Sequence, residues 1–122
     1  MLIVLEKDED LDALERAGTL HADMHLLDGL VAIDASSVVR DRIKKLHERV
    51  EARLTDGNVE VVLALPATAE GDATAQYIER VLEEFVESKK IRMTRLARGL
   101  SSGADLSYAD ADTLKAAFTN RK

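Results

Sequence analysis

Val59-Glu60-Val61-Val62-Leu63-Ala64-Leu65, followed at once by Pro66-Ala67-Thr68-Ala69-Glu70-Gly71-Asp72, is the stretch whose reading decides the fold. Its first seven residues are almost continuously β-branched or aliphatic, the composition of a central strand covered on both faces. The period then changes. From about residue 69 to residue 88 the apolar side chains recur at helical spacing, and Ile78, Val81, Leu82, Phe85 and Val86 are expected to face a core. A buried strand feeding a helix is the unit from which parallel sheets are built.

Working upstream, Asp56-Gly57-Asn58 reads as a turn that closes a long helix. In that helix Val39, Ile43, Leu46, Val50 and Leu54 form one apolar stripe, and Ser36 and Ser37 are candidate caps. Residues 24–27 read as a strand followed by a loop through Gly29 and Asp34. Leu2-Ile3-Val4-Leu5 reads as the first strand, ahead of an acidic helix with Leu11, Leu14 and Ala17 on one side and Gly18 as its C-terminal cap. Downstream, residues 91–96 read as another strand, 99–103 as a glycine-bearing loop and 110–118 as a last short helix. The pattern predicts an α/β protein of three layers, with a mainly parallel four-stranded sheet and helices on both faces. There is no internal repeat and no low-complexity tract.

The chain has 122 residues, room for one compact domain. Apolar residues make up 46% and aromatic ones 3%, so the core is aliphatic and a disordered tail is excluded. The absence of cysteine removes a disulfide framework, a cysteine-ligated zinc site and a cysteine nucleophile together. Apolar runs fall far short of the ~20 residues of a membrane span, and the N-terminus lacks a basic then apolar leader, so a cytoplasmic protein with no membrane contact is expected. With a formal net charge of −6, bulk electrostatics oppose polyanion binding, and any DNA contact is expected to be local or indirect. Acidic residues crowd positions 6–34, whereas Lys89, Lys90, Arg92, Arg95 and Arg98 crowd a later stretch.

Ligands of such sheets gather at the carboxyl ends of the strands. Glu6 directly follows the first strand, and Glu70 and Asp72 open the helix after the central one, so three carboxylates are expected near one rim. Clustered carboxylates suit magnesium, yet acids in a first helical turn are also favoured by the helix dipole alone.

The arrangement resembles the Toprim fold, shared by topoisomerases, primases, small nucleases and the RecR family of recombination mediators. That fold has a glutamate after its first strand and a D-x-D-x-E-G-E type motif after a later one. Glu70, Gly71 and Asp72 match, but Pro66 and Thr68 stand where catalytic members carry aspartates. The same erosion is similar to the RecR pattern A-T-N-P-T-V-E-G-E-A-T-A, which residues 64–75 match identically at seven of twelve positions. Thr94-Arg95-Leu96-Ala97-Arg98-Gly99-Leu100, Gly103, Asp105-Leu106, Tyr108-Ala109-Asp110 and Thr113-Leu114 resemble that family's ending, T-R-L-A-R-G-L-P-x-G-G-D-L-E-Y-A-D-x-x-T-L. Ser101, Ala104 and Ser107 depart from it.

The resemblance implies a Toprim-like domain over residues 1–98 and a RecR-like C-terminal segment over 99–122, packed on that domain or exchanged. Complete RecR proteins carry a helix-hairpin-helix segment and a four-cysteine zinc module ahead of the Toprim domain. This chain starts at the first strand, either as a fragment or as a stand-alone relative. The resemblance further implies a non-enzymatic repair module that docks a RecO-like mediator, and possible RecF-like contacts and self-association, in support of recombinase loading. Glu6, Glu70 and Asp72 would form the partner surface, and Arg95 and Arg98 would contact phosphate or a partner on the other side. No cofactor is expected. The alternative is a small magnesium-dependent nuclease, with Glu6 as general acid or base and Glu70 and Asp72 as metal ligands.

Other candidates have plainer readings. Tyr77 lies within a predicted helix and is expected to pack, not to act as a nucleophile, while Tyr108 anchors the C-terminal segment. His21 and His25 have metal-pair spacing only on a helix, and His25 matches a strand histidine of the family. His47 is expected on the solvated side of its helix. The glycines at 99–103 suit a phosphate cradle, but no Lys-Ser or Lys-Thr follows, and turn geometry accounts for them.

Overall fold

The computed structural model describes residues 1–17, 22–31, 37–96 and 111–122. Four strands, β1 (Leu2–Leu5), β2 (Asp23–Leu26), β3 (Val59–Ala64) and β4 (Ile91–Arg95), form one sheet in the order β2-β1-β3-β4. Every pairing is parallel, with Leu5 beside both Leu26 and Ala64. Among the described residues the helices are α1 (Asp8–Ala17), α2 (Ser37–Arg53), α3 (Ala69–Val81), α4 (Glu83–Glu87) and α5 (Ala111–Thr119), with a 3-10 turn at Leu54–Asp56.

Burial explains why the strands form where they do. All four residues of β1 are fully buried, because alternate side chains enter different cores. Leu2, Val4, Val61 and Leu63 pack with Val39, Ile43, Leu46 and Val50 of α2 and with Ala75 and Ile78 of α3. Ile3, Leu5, Val62 and Ala64 pack with Leu14 of α1 and Leu114 and Phe118 of α5. Helices therefore cover both faces, as the sequence predicts.

Three details differ from expectation. Strand β2 starts and ends one residue earlier than 24–27, with Leu27 buried just beyond it and its N–H bonded to the Leu5 carbonyl at 2.9 Å. The single helix expected over 69–88 is broken at Leu82, whose φ of −99° and ψ of 8° leave the helical region while its side chain stays fully buried. That break turns Val86 out to solvent, 40% exposed, instead of into the core. The proposed caps at Gly18 and Ser36, together with His21, Asp34, Arg98, the 99–103 loop and Tyr108, lie outside the described residues.

Candidate functional site

The carboxyl ends of β1 and β3 lie side by side in the middle of the sheet, and the helices that follow them depart to opposite faces, α1 to one and α3 to the other. Such a switch point is where open α/β sheets bind ligands. Glu6 follows β1 here, and Glu70 and Asp72 lie in the first turn of α3, so the three carboxylates belong to one rim.

That turn is built from the residues that replace the Toprim aspartates. Thr68 is extended, and its hydroxyl accepts a hydrogen bond from the Gly71 N–H at 3.1 Å, while its carbonyl accepts from the Asp72 N–H at 2.9 Å. It is thus an N-cap that satisfies amides a helix leaves unpaired. Gly71 is buried against the preceding segment, where a Cβ would come within 1.9 Å of the Pro66 carbonyl oxygen. Thr74, fully buried, donates to the Glu70 carbonyl at 2.9 Å and accepts from the Val31 N–H at 3.1 Å. The loop after β2 is pinned to α3 in this way.

The electrostatics divide the rim. Glu70 and Asp72 are both exposed. Arg95, expected on the far side from the acids, instead reaches Asp72 at 3.3 Å through Nη1 and Glu79 at 3.1 Å through Nη2. Its guanidinium therefore offsets charge on α3 and does not form a separate basic surface. Among the described residues, no three carboxylate, imidazole or thiol side chains are grouped as a metal ion requires. The alternative reading, in which Glu70 and Asp72 hold magnesium beside Glu6, gains no support from this geometry: Pro66 and Thr68 supply no carboxylates, and Asp72 is paired with Arg95. The residues present do not fit the metal of catalytic Toprim proteins.

The histidines divide similarly. His25, buried on β2, bonds through Nε2 to the Arg42 carbonyl at 2.7 Å. A carbonyl only accepts, so Nε2 carries the proton and Nδ1 is left to accept from Arg49 Nη1 at 3.3 Å. Burial pushes the His25 pKa below its usual range. This supports the structural reading. His47 is not simply solvated: it bonds to Glu84 at 2.7 Å and its ring lies 4.9 Å from that of Phe85, tying α2 to α4. Tyr77 is half-buried against the core, in the packing role expected of it.

Fold and rim together define a Toprim-type α/β domain with a degenerate acidic motif. Residues 1–97 match the family model of the Toprim domain, and the chain belongs to that family. Within it the likeness is to RecR: residues 99–122 match the model described as RecR, C-terminal. Recombination protein RecR of Streptococcus uberis is 41% identical over 122 residues, covering 99% of this chain and 58% of that protein. Its namesake from Streptococcus pyogenes serotype M49 is 41% identical over 121 residues, covering 98% and 58% respectively. The chain thus spans 58% of the length of these curated relatives. Among the described residues no helix is long and apolar enough to cross a membrane.

Proposed function

We propose that this chain is a non-enzymatic module of recombinational DNA repair, which docks a RecO-like mediator through the acidic rim of Glu6, Glu70 and Asp72 and so supports recombinase loading. The observation that carries the reading is the construction of the α3 terminus. Thr68 and Gly71 lock its backbone, while the Glu70 carboxylate is exposed beside an exposed Asp72 that is paired with Arg95. An exposed acidic rim on a rigid turn complements a basic protein surface and steers its approach. The likeness to RecR supports the choice of a repair mediator as that partner. RecF-like contacts, self-association and a contact by Arg98 belong to the same reading.

Light scattering after size-exclusion chromatography tests it, with the chain alone and mixed with the RecO-like protein of the same organism. A complex is expected, and Glu70→Lys is expected to weaken it while leaving the fold intact, because Glu70 is exposed. Absence of a complex, or one indifferent to Glu70→Lys, overturns the assignment of the rim. Magnesium-dependent cleavage of DNA that Glu6→Gln abolishes overturns the non-enzymatic reading.

A further inference from the structure

The chain contains two Asp-Gly steps, Asp28-Gly29 and Asp56-Gly57, and the fold holds them in opposite ways. In such a step the glycine nitrogen can attack the carboxyl carbon of the aspartate before it, because no Cβ crowds the approach. The reaction needs a loosely held amide and a peptide plane able to turn.

Asp28-Gly29 has neither. It lies in the loop after β2, between Leu27 and Leu30, both buried. The Leu27 N–H donates to the Leu5 carbonyl at 2.9 Å, the Gly29 N–H to the Glu6 carbonyl at 3.1 Å and the Val31 N–H to the Thr74 hydroxyl at 3.1 Å. Alternate amides are thus tied to the end of β1 and to α3. Asp28 itself is in the left-handed region, at φ 61°, and these ties hold it there against its steric cost.

Asp56-Gly57 joins the 3-10 turn to β3. Residues 55–58 are all exposed, and burial of the following strand begins at Val61. The Gly57 N–H points to the Leu54 carbonyl of its own turn at 3.4 Å, longer than an ordinary N–H···O bond. Beyond its chain neighbours, nothing lies within 4 Å of the place a Cβ on Gly57 would take. The peptide plane here can turn without displacing a packed neighbour.

We propose that Asp56-Gly57 is a site of spontaneous isoaspartate formation, and that the fold protects the same dipeptide at Asp28-Gly29. The Gly57 nitrogen bonds to the Asp56 Cγ, and the proton of the nitrogen leaves with the carboxyl OH as water, closing a five-membered succinimide. Water then adds back. Cleavage between the nitrogen and Cγ restores aspartate. Cleavage between the nitrogen and the Asp56 main-chain carbonyl carbon leaves the chain running through the side chain, with the α-carboxylate free. No oxidant or reductant enters, and the product has the mass of the parent. It adds one methylene to the backbone among exposed residues, ahead of the buried part of β3, so the sheet stays intact. Its free α-carboxylate is the group that isoaspartyl carboxyl methyltransferases esterify with methyl from S-adenosylmethionine.

The test is incubation of the full chain in oxygen-18 water, near neutral pH and at physiological temperature, followed by tryptic digestion and mass spectrometry. Each passage through the succinimide leaves one solvent oxygen in the peptide. Cleavage after arginine puts the two steps in separate peptides, residues 17–40 and 54–80. In the folded chain, label and a chromatographically distinct isoaspartyl form are expected in 54–80 at least roughly tenfold faster than in 17–40, the ratio for breaking a buried hydrogen bond to release the Gly29 amide. In urea the two peptides are expected to label at similar rates. Asp56→Glu, whose longer side chain has to close a six-membered ring, is expected to remove the label from 54–80 and so to separate Asp56 from Asp72 in the same peptide. Equal labelling of the two peptides in the folded chain overturns the proposal, as does a folded 54–80 that stays unlabelled or keeps its label in Asp56→Glu. A ratio in urea as large as in the folded chain overturns the protection, since the neighbouring residues alone would then set it.

Discussion

A Cβ on Gly71 would lie 1.9 Å from the Pro66 carbonyl oxygen and 3.0 Å from its carbon, and both obstacles are backbone. Neither can rotate aside, so even one methyl group must push α3 off the end of β3. Gly71→Ala is therefore expected to destabilise the fold by roughly 1–3 kcal/mol or more, the range for overpacking a tight interior. Urea unfolding reads this directly, and a variant as stable as the parent chain would show that the first turn of α3 moves freely. The sequence marks Gly71 as a matching position of the family pattern. The physical requirement is visible only once the chain reverses at Pro66 and brings residues five apart into contact.

At the scale of elements, the strands were the legible part. Residues 2–5 and 61–64 are apolar on both faces because both faces are covered, and such runs need no knowledge of partners. Strand β2 was harder to place because it lies at the sheet edge, where Asp23 is exposed and only His25 is buried. The break at Leu82 was not legible, since a buried leucine fits a continuous stripe equally well. The engagement of Arg95 was missed because its acidic partners stand 16 and 23 residues away on another element. Docking of α2 on β2 makes a prediction at this scale. Neutral His25 accepts from Arg49 while donating to the Arg42 carbonyl, and protonation of Nδ1 would set a second cation against that guanidinium. Its folded pKa is lowered by burial from 6.5, so the unfolded chain takes up the proton first. The contribution to stability is complete above the unfolded value and is lost as pH falls through the lower folded one. Stability measured from about pH 8 down to about pH 5.5, the range where imidazole titrates, is expected to fall more steeply for the parent chain than for His25→Gln. Identical pH dependence in the two proteins would remove His25 from the account.

For the molecule as a whole, the question is what holds the C-terminal element to a sheet already covered by α1. Helix α5 contributes Leu114 and Phe118 to the second core, but the chain after it makes the polar connection. Arg121 grips both carboxylate oxygens of Glu60 on β3, through Nε at 2.5 Å and Nη2 at 2.9 Å, and donates to the Phe118 carbonyl at 2.6 Å through Nη1. Thr94 on β4 donates to the same glutamate at 2.9 Å, and Lys122 and Arg95 exchange backbone bonds at 3.0 Å each way. Residues in the stretch that matches the RecR C-terminal model thus clasp the central and outer strands of the Toprim sheet. The Arg121 hydrogen bonds hold the Glu60 pKa below its usual 4.5. A carboxylate lowered on folding stabilises the protein above its unfolded value and loses that contribution as pH falls through its folded one. Arg121→Ala is accordingly expected to cost roughly 1.5–3 kcal/mol at neutral pH, the range for hydrogen bonds to a charged group. The gap between parent and variant should then narrow as the solution is acidified below about pH 4.5, where the unfolded carboxyl begins to take up its proton. Denaturant unfolding across that interval measures both quantities. A gap that stays constant down to the acid limit would place the worth of Arg121 in its contact with the Phe118 carbonyl, and not in the ion pair with Glu60.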